Sequence, residues 1–365
     1  MSIKYDVIAA GHLCLDMSPN FTATDTHKAS DIFIPGRLIN MDGIDFSPGG
    51  AVANTGFAIG RLGLKVLPMA AIGQDELGDI LASIVKNEID VDIRRSDQAS
   101  SSYSVILTPP GVDRIILHDP AGNNEFGAND IDYSVLKHAK LMHFGYPPLM
   151  RQMYTDSGKQ LTELFKRAKE TGITTSLDMS LPDTENESGK VDWEFILKST
   201  LPYVDIFLPS VEEALFMLDR DEYERVKNVS EGDDFTKHLD MNKLRILSDQ
   251  FIEMGSAIVI IKCGANGIYF KSADSDRLKK IGRANPVDVD SWASREVFRE
   301  TYVVKNFKSA LAGGDTTIAG FLSSMLKGYG LYDSLKIACK TGALCCTTYD
   351  SISGTAKCSS LACDF

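Results

Sequence analysis

The sequence lacks three features that would each place it in a different class of protein. It has no run of about 18 apolar residues, the length that predicts a membrane-spanning helix, so no membrane partner is expected. Its net charge of −12 argues against a nucleic-acid partner, which requires a basic surface. Its 7 cysteines form no CxxC pair, which favours a reducing cytoplasm over a zinc or disulfide framework. The N-terminal residues are charged too early for a signal peptide.

Short apolar runs alternate with helix-like stretches along the chain. Hydrophobic residues make up 44% of the 365, which is enough for a large core. Runs that suit strands buried on both faces lie at 5–11, 65–73, 140–145, 174–179, 204–210 and 257–264. Helix-like stretches lie at 51–63, 76–88, 158–172, 211–218 and 241–255. This order predicts an α/β fold with a mostly parallel central sheet flanked by helices.

Two segments interrupt the alternation. Residues 14–46 are polar, and residues 99–118 contain two strand-like runs around a Pro-Pro-Gly turn. The most economical interpretation is a small β-sheet lid made of 14–46 and 99–118; two ordinary surface loops are the alternative. The α/β core then comprises 1–13, 47–98 and 119–365. Residues 219–240 are acidic and polar and are predicted as solvated loops or helix caps.

The strongest chemical signal is a glycine turn in LAGGDTTIAGFLSSMLKG, residues 311–328. Ala312, Gly313 and Gly314 lead into Asp315, and an amphipathic helix follows. Free N–H groups at such a turn can bind a developing negative charge, and Asp315 could accept the proton of an attacking hydroxyl. The alternative is that Asp315 only caps the helix.

A second glycine motif lies near the N-terminus, in FSPGGAVANTGFAIGRLG. Gly49 and Gly50 precede a helix rich in small residues. Each Gly inside a helix costs about 1 kcal/mol relative to Ala, so close packing or a ligand near the backbone must offset it. Asn54, one turn into this helix, could bond a substrate hydroxyl, or it could serve as an internal cap.

The two motifs together resemble those of the ribokinase-like, or PfkB, carbohydrate kinases. The resemblance rests on GGAVANTGFAIGRLG, AAIGQDELG and the late GGDTTIAGF, and it extends from Val7 to about Gly354. It implies a Rossmann-like core with a β lid, ATP as the phosphoryl donor, Mg²⁺ as the bridging ion, and phosphorylation of a hydroxyl of a sugar or sugar-like molecule. Lid sheets often pair in this family, so the resemblance also suggests a homodimer through the lid.

The resemblance also implies roles for individual residues. The catalytic roles fall on Ala312, Gly313, Gly314 and Asp315, with the aspartate as base and the glycine amides as anion hole. Substrate binding falls on Asp16, Gly49, Gly50 and Asn54, and the lid residues Tyr103, Arg114 and His118 could also reach substrate. Arg114 would equally suit a solvated strand position. Cofactor binding falls on Ser210, Glu213, Lys262, Gly264, Gly267 and Cys339, with Glu213 reaching the metal through water and Cys339 beside the adenine.

Three departures from the family pattern qualify these expectations. Ser309 replaces the first aspartate of the usual D-T-T-G-A-G-D, which argues against a monovalent-cation requirement. Ser210 replaces the asparagine of N-x-x-E. The segment LDMSLPD keeps Asp178 but lacks the arginine that reads a phosphate in many relatives. The predicted substrate is a neutral sugar such as a ketohexose or ribose first, a sugar acid second, and a nucleoside third.

Two other functions stay open on the sequence alone. A nucleoside kinase on the same scaffold would need aromatic side chains that stack on a base, for which Phe21, Phe33 and Tyr103 are candidates. A catalytically degenerate sugar-binding protein would explain the missing aspartate and asparagine, but it would not need Asp315, Glu213 and the glycines.

Overall fold

The computed structural model describes residues 2–22, 29–89, 91, 93–97, 99–109, 115–230, 234–348 and 353–357. The strands of the central sheet are β1 Tyr5–Gly11, β4 Val66–Met69, β7 Ala139–Gly145, β8 Thr174–Leu177, β9 Ile206–Phe207, β10 Ile258–Lys262, β11 Ile268–Ser272 and β12 Glu296–Arg299. The strands of a second, smaller sheet are β2 Cys14–Phe21, β3 Met41–Gly49, β5 Tyr103–Leu107 and β6 Ile115–Asp119.

The central sheet has the order β12-β11-β10-β9-β8-β7-β1-β4. Its strands from β4 to β10 run parallel, while β11 and β12 are antiparallel. This confirms the predicted mostly parallel sheet. The parallel strands are apolar along their whole length because both faces are covered: Val7 and Ala9 pack into one apolar cluster, and Ile8 and Ala10 into the other.

Helices cover both faces of this sheet. Those of eight residues or more are Glu76–Ile89, Lys159–Glu170, Trp193–Thr200, Val211–Leu218, Arg220–Ser230, Met241–Met254, Gly313–Leu326 and Leu331–Cys345. Single-turn α-helices lie at Ala29–Ile32, Ala58–Arg61, Tyr133–Leu136, Arg151–Tyr154, Ser275–Leu278 and Val289–Trp292. None of the helices in the described part of the chain is long and apolar enough to cross a membrane.

The helix predicted at 51–63 is real but not a plain α-helix. Residues Val52–Phe57 form a π-helix, and Ala58–Arg61 continue it as a single α-turn. A Cβ added at Gly56 would lie 2.6 Å from the Cβ of Ala9 in β1. The small residues are therefore explained by close packing of this helix on the sheet. A π-helix is rare and often marks a functional site.

The smaller sheet has the order β3-β2-β5-β6 and is formed from the two segments predicted as a lid. Its strands reach Gly49 and Asp119, slightly past the predicted limits of 14–46 and 99–118. The division of the chain into core and lid at those limits stays a prediction. Arg114 lies outside the described residues, as does the tip of the Pro-Pro-Gly turn.

The prediction of loops or helix caps for residues 219–240 was wrong for much of that segment. Residues Arg220–Ser230 form a helix that buries Tyr223 and Val226 in the core. Its mean composition is polar, but the two apolar side chains are three residues apart and share one face. Tertiary packing of this narrow apolar face overrides the polar composition.

Candidate active site

The candidate site lies where parallel strands of the central sheet end. Gly11 and Gly145 are paired at the carboxyl ends of β1 and β7, and Lys262 ends β10. Asp178 follows β8 directly. Carboxyl ends of parallel strands meet at one edge of a sheet, and ligands of α/β proteins bind in the crevice beyond that edge.

Asp315 is the third residue of the helix Gly313–Leu326 and is only 5% exposed. Its carboxylate accepts a hydrogen bond from the Tyr146 hydroxyl at 2.7 Å and one from Nδ2 of Asn54 at 3.1 Å. Burial raises the pKa of Asp315 above its ordinary value, against the opposing effects of Lys262 and of these hydrogen bonds. A carboxylate with a raised pKa and a fixed orientation is suited to accept a proton.

The contact between Asn54 and Asp315 joins the two glycine motifs, which are 261 residues apart in sequence. Thr55 adds a hydroxyl 3.4 Å from both the backbone oxygen and Oδ1 of Asp315. The side chain of Asn54 is buried, yet its Oδ1 has no hydrogen-bond partner among the described residues. A buried, unpaired amide oxygen is costly, so this atom is a natural acceptor for a hydroxyl of a ligand.

Tyr146 is a site residue that the sequence analysis missed. It follows Gly145 and has a left-handed backbone, with φ 67° and ψ 41°. Strained conformations of this kind concentrate at functional sites. Burial and the nearby charge of Asp315 raise the pKa of Tyr146 well above its ordinary value, so the phenol stays a neutral donor. The Gly-Tyr-Pro-Pro sequence at the end of a buried strand was the available signal.

Lys262 and Asp178 form a buried ion pair beside Asp315. Burial raises the pKa of Asp178 well above normal, with Lys262 opposing. Burial also works against the charge of Lys262, but the carboxylates of Asp178 and Glu213 raise the pKa of Lys262 overall. A Cβ added at Gly314 would lie 3.5 Å from Cδ of Lys262, so the lysine runs along the glycine turn. Asp178 Oδ2 has no hydrogen-bond partner within the described chain.

The glycine turn itself is arranged asymmetrically. Ala312 has a left-handed backbone with φ 56°, and the helix begins at Gly313. The Gly313 N–H donates to the carbonyl of Ala310 at 3.2 Å, whereas the Gly314 N–H donates to no backbone acceptor in the described part of the chain. Of the two predicted anion-hole amides, Gly314 is therefore the freer donor for a ligand.

Two of the residues predicted to bind substrate, Gly49 and Tyr103, lie close to Asp16 on β2. A Cβ at Gly49 would overlap the Asp16 carboxylate, and one at Gly50, where φ is +85°, would lie 2.5 Å from Nδ1 of His12. The glycine pair is thus required by the close approach of these two side chains. Burial raises the pKa of Asp16, although bonds from Ser104 and Cys14 oppose the shift. Tyr103 lies on the neighbouring strand, paired with Leu15.

The residues predicted to bind the cofactor fall into two groups. Ser210 and Glu213 form a capping box at the start of the helix Val211–Leu218: the Ser210 N–H donates to Glu213 Oε2 at 2.6 Å, and the Glu213 N–H to Ser210 Oγ at 3.2 Å. Ser210 also forms a β-bridge with Lys262, which places the capping box next to the ion pair.

The second group of residues predicted to bind the cofactor includes two that approach the backbone carbonyl of Arg299. Gly264 and Gly267 form the turn between β10 and β11, both with positive φ, and a Cβ at Gly267 would overlap the Arg299 carbonyl. Cys339 is 2% exposed, and its Sγ contacts the same carbonyl at 3.8 Å. Burial raises the pKa of the Cys339 thiol to about 12. The structure therefore brings Gly267 and Cys339 together, although these residues are 72 positions apart (339 − 267) in sequence.

Comparison with known families decides what kind of protein carries this site. The model of the pfkB family carbohydrate kinases matches residues 22–358. The chain belongs to this family. As a pfkB family carbohydrate kinase it is a phosphotransferase that acts on a sugar hydroxyl, as the sequence predicted. The predicted family and fold class are confirmed.

Similarities to individual proteins extend over most of this pfkB kinase. It is 25% identical over 297 residues to an uncharacterised sugar kinase of Archaeoglobus fulgidus, which covers 81% of this chain and 97% of that protein. It is 23% identical over 336 residues to an ATP-dependent 6-phosphofructokinase of Thermoanaerobacterium thermosaccharolyticum, and the match covers 92% of this chain and 85% of that protein. The structure of Arabidopsis thaliana ribokinase complexed with ribose and ATP is similar in fold, with a TM-score of 0.68 and 14% sequence identity. The similarity covers 97% of this chain and 96% of the ribokinase chain.

Proposed function

We propose that this carbohydrate kinase transfers the γ-phosphoryl group of ATP to a hydroxyl of a neutral sugar such as a ketohexose or ribose, with Asp315 as the base. The observation that carries the proposal is the buried carboxylate of Asp315, held by Tyr146 and Asn54 at the start of a glycine-led helix. The ribose and ATP in the Arabidopsis ribokinase structure support this choice of donor and acceptor class.

In the proposed reaction, a sugar hydroxyl lies between Asn54 Oδ1 and the Asp315 carboxylate. Its proton passes to Asp315 as its oxygen forms a bond to the γ-phosphorus. The bond from that phosphorus to the oxygen bridging it to the β-phosphate breaks, and ADP leaves. The negative charge that develops on the transferred group is stabilised by the Gly314 N–H and by the ammonium group of Lys262, which runs beside that turn.

The residues present also fit the expected Mg²⁺. Glu213 is buried, one of its carboxylate oxygens is held by the Ser210 N–H, and its charge acts on the neighbouring Lys262 and Asp178. Oxygen ligands of this kind hold Mg²⁺ directly or through water, because the ion dehydrates reluctantly. When bound, the ion would neutralise negative charge on the phosphates of ATP. Glu213, through water, is the residue that we propose for this role.

The structure does not favour the nucleoside alternative. Two of the three aromatic candidates, Phe21 and Phe33, stack edge to face on each other at 6.2 Å between ring centroids. Rings that pair in this way present less face to a base. Asn54, whose Oδ1 is unpaired, lies beside Asp315, and Asp315 is intact as the proposed catalytic base. This likewise argues against a catalytically degenerate sugar-binding protein.

The test is the Asp315→Asn variant, assayed for ATP consumption with a panel of neutral sugars, sugar acids and nucleosides. Loss of a general base is expected to lower kcat by about 10²–10⁴-fold with little loss of folding. Asp274→Asn is the matched control, because Asp274 caps the helix Ser275–Leu278 far from the site. Near-wild-type kcat in Asp315→Asn would show that Asp315 is not the base, and a preference of the wild type for nucleosides or sugar acids would replace the proposed substrate.

We also propose that the smaller sheet pairs with that of a second copy. Its strands expose the apolar side chains Ile44, Phe46, Ile116 and Leu117, each between 44% and 55% exposed. Apolar residues on a sheet with open edges favour association. Sedimentation analysis of the wild type against Phe46→Lys should show a dimer that dissociates in the variant; a monomeric wild type would contradict this assembly.

A further inference from the structure

Three side chains with soft or borderline metal-binding atoms converge next to Asp16. His12 follows β1, Cys14 begins β2, and His118 lies on the edge strand β6. One potential ligand atom from each residue lies within 4.8 Å of the other two. Nε2 of His12 is 3.2 Å from Nε2 of His118, and Sγ of Cys14 is 3.4 Å from Oδ1 of Asp16. The proposed kinase reaction assigns no role to His12 or Cys14, and none to His118 beyond the expectation that this lid residue could reach substrate.

The spacing suits a tetrahedral ion. Zinc binds imidazole nitrogen at about 2.0–2.1 Å, so two such nitrogens in a tetrahedral centre lie about 3.3–3.4 Å apart. The two histidine nitrogens are already at nearly that separation. Histidine and cysteine are both zinc ligands, and catalytic zinc sites use three protein ligands and keep the fourth position open.

The cluster is built into the protein. His12 is 2% exposed and Cys14 is 3% exposed. Nδ1 of His12 is buried and has no partner among the described residues, so the ring is not held by a second hydrogen bond. Nδ1 of His118 lies 3.1 Å from Oγ of Ser104, which can fix the tautomer that leaves Nε2 free to bind an ion.

We propose that His12, Cys14 and His118 bind one Zn²⁺ ion, with the fourth coordination position open toward Asp16. Binding releases the proton of the Cys14 thiol to solvent and forms the bond between sulfur and zinc. The ion ties the edge strand of the smaller sheet to the connection between β1 and β2. If Asp16 binds the sugar, which rests on the proposed function, the occupied site hinders sugar binding.

The test uses metal binding rather than catalysis. The full-length protein, stripped with a chelator, is titrated with Co²⁺ as a spectroscopic probe and then with Zn²⁺. One equivalent of Co²⁺ should give absorption bands of a tetrahedral centre and a thiolate-to-cobalt charge-transfer band, and Zn²⁺ should displace it. The charge-transfer band should disappear in Cys14→Ser and persist in Cys346→Ser, the matched control at a partly exposed thiol.

His118→Asn provides a second variant, should Cys14→Ser fail to fold as judged by circular dichroism. It removes a ligand from a partly exposed position and should weaken Co²⁺ binding at least about tenfold. Absence of stoichiometric Co²⁺ binding, or a charge-transfer band that survives in Cys14→Ser, would overturn the zinc site. His12 and His118 would then be only a hydrogen-bonded pair. The titration requires no phosphoryl transfer, so failure of the proposed kinase reaction and failure of the zinc site give separate results.

Discussion

Replacing Tyr146 by Phe removes the hydroxyl that donates to the Asp315 carboxylate at 2.7 Å. The hydrogen bond stabilises the ionised form of a carboxylate whose pKa burial has already raised. Without it the pKa of Asp315 rises further, so the base is protonated up to a higher pH. The acid limb of the pH profile of kcat/KM should therefore move to higher pH.

The size of this shift follows from the type of bond. A hydrogen bond to a charged group contributes about 1.5–3 kcal/mol, and about 1.4 kcal/mol corresponds to one pH unit. The acid limb should move upward by about one to two pH units, because other hydrogen bonds from Asn54 and Thr55 remain. The measurement is kcat/KM for the preferred sugar across the acidic and neutral range, at saturating ATP.

The matched control is Tyr133→Phe. The Tyr133 hydroxyl also donates a hydrogen bond of 2.7 Å, but to the carbonyl of Ala128, away from the site. Its loss should leave the pH profile in place, whatever it does to stability. An acid limb that does not move in Tyr146→Phe, or that moves equally in Tyr133→Phe, would refute the role of Asp315 as the group that titrates.

Two further predictions concern stability, measured by urea unfolding. Lys262→Met leaves a buried carboxylate unpaired and should cost about 3–5 kcal/mol. Lys198→Met, at an exposed ion pair with Glu194, should cost about 1 kcal/mol or less; equal losses would contradict the burial argument. Gly50→Ala places a Cβ 2.6 Å from a backbone carbonyl at φ +85°, while Gly36→Ala has a similar φ of +80° in open space. Gly50→Ala should therefore be less stable than Gly36→Ala by about 1–3 kcal/mol, and a smaller difference would mean that the turn relaxes.

The local sequence predicted most of the parallel strands of the central sheet. Buried parallel strands are recognisable because apolar residues must fill both faces, which is why β1, β7 and β10 were located nearly to the residue. Some predicted strands were longer than the observed ones, because the neighbouring strands pair with only part of the apolar run. The run at 204–210, for example, contains only the strand β9, Ile206–Phe207. The antiparallel strands β11 and β12 were not predicted, because nothing local indicates that the chain turns back at the edge of the sheet.

The sequence by itself determined the family, the α/β alternation and the two glycine motifs, because these depend on short-range residue patterns. Only the tertiary structure decided which side chains touch Asp315. Tyr146 and Thr55 come from distant parts of the chain, and their hydrogen bonds to Asp315 have no local signature in the sequence. The same reason hides the convergence of His12 and His118, which are 106 residues apart and meet only when the smaller sheet folds over the end of β1.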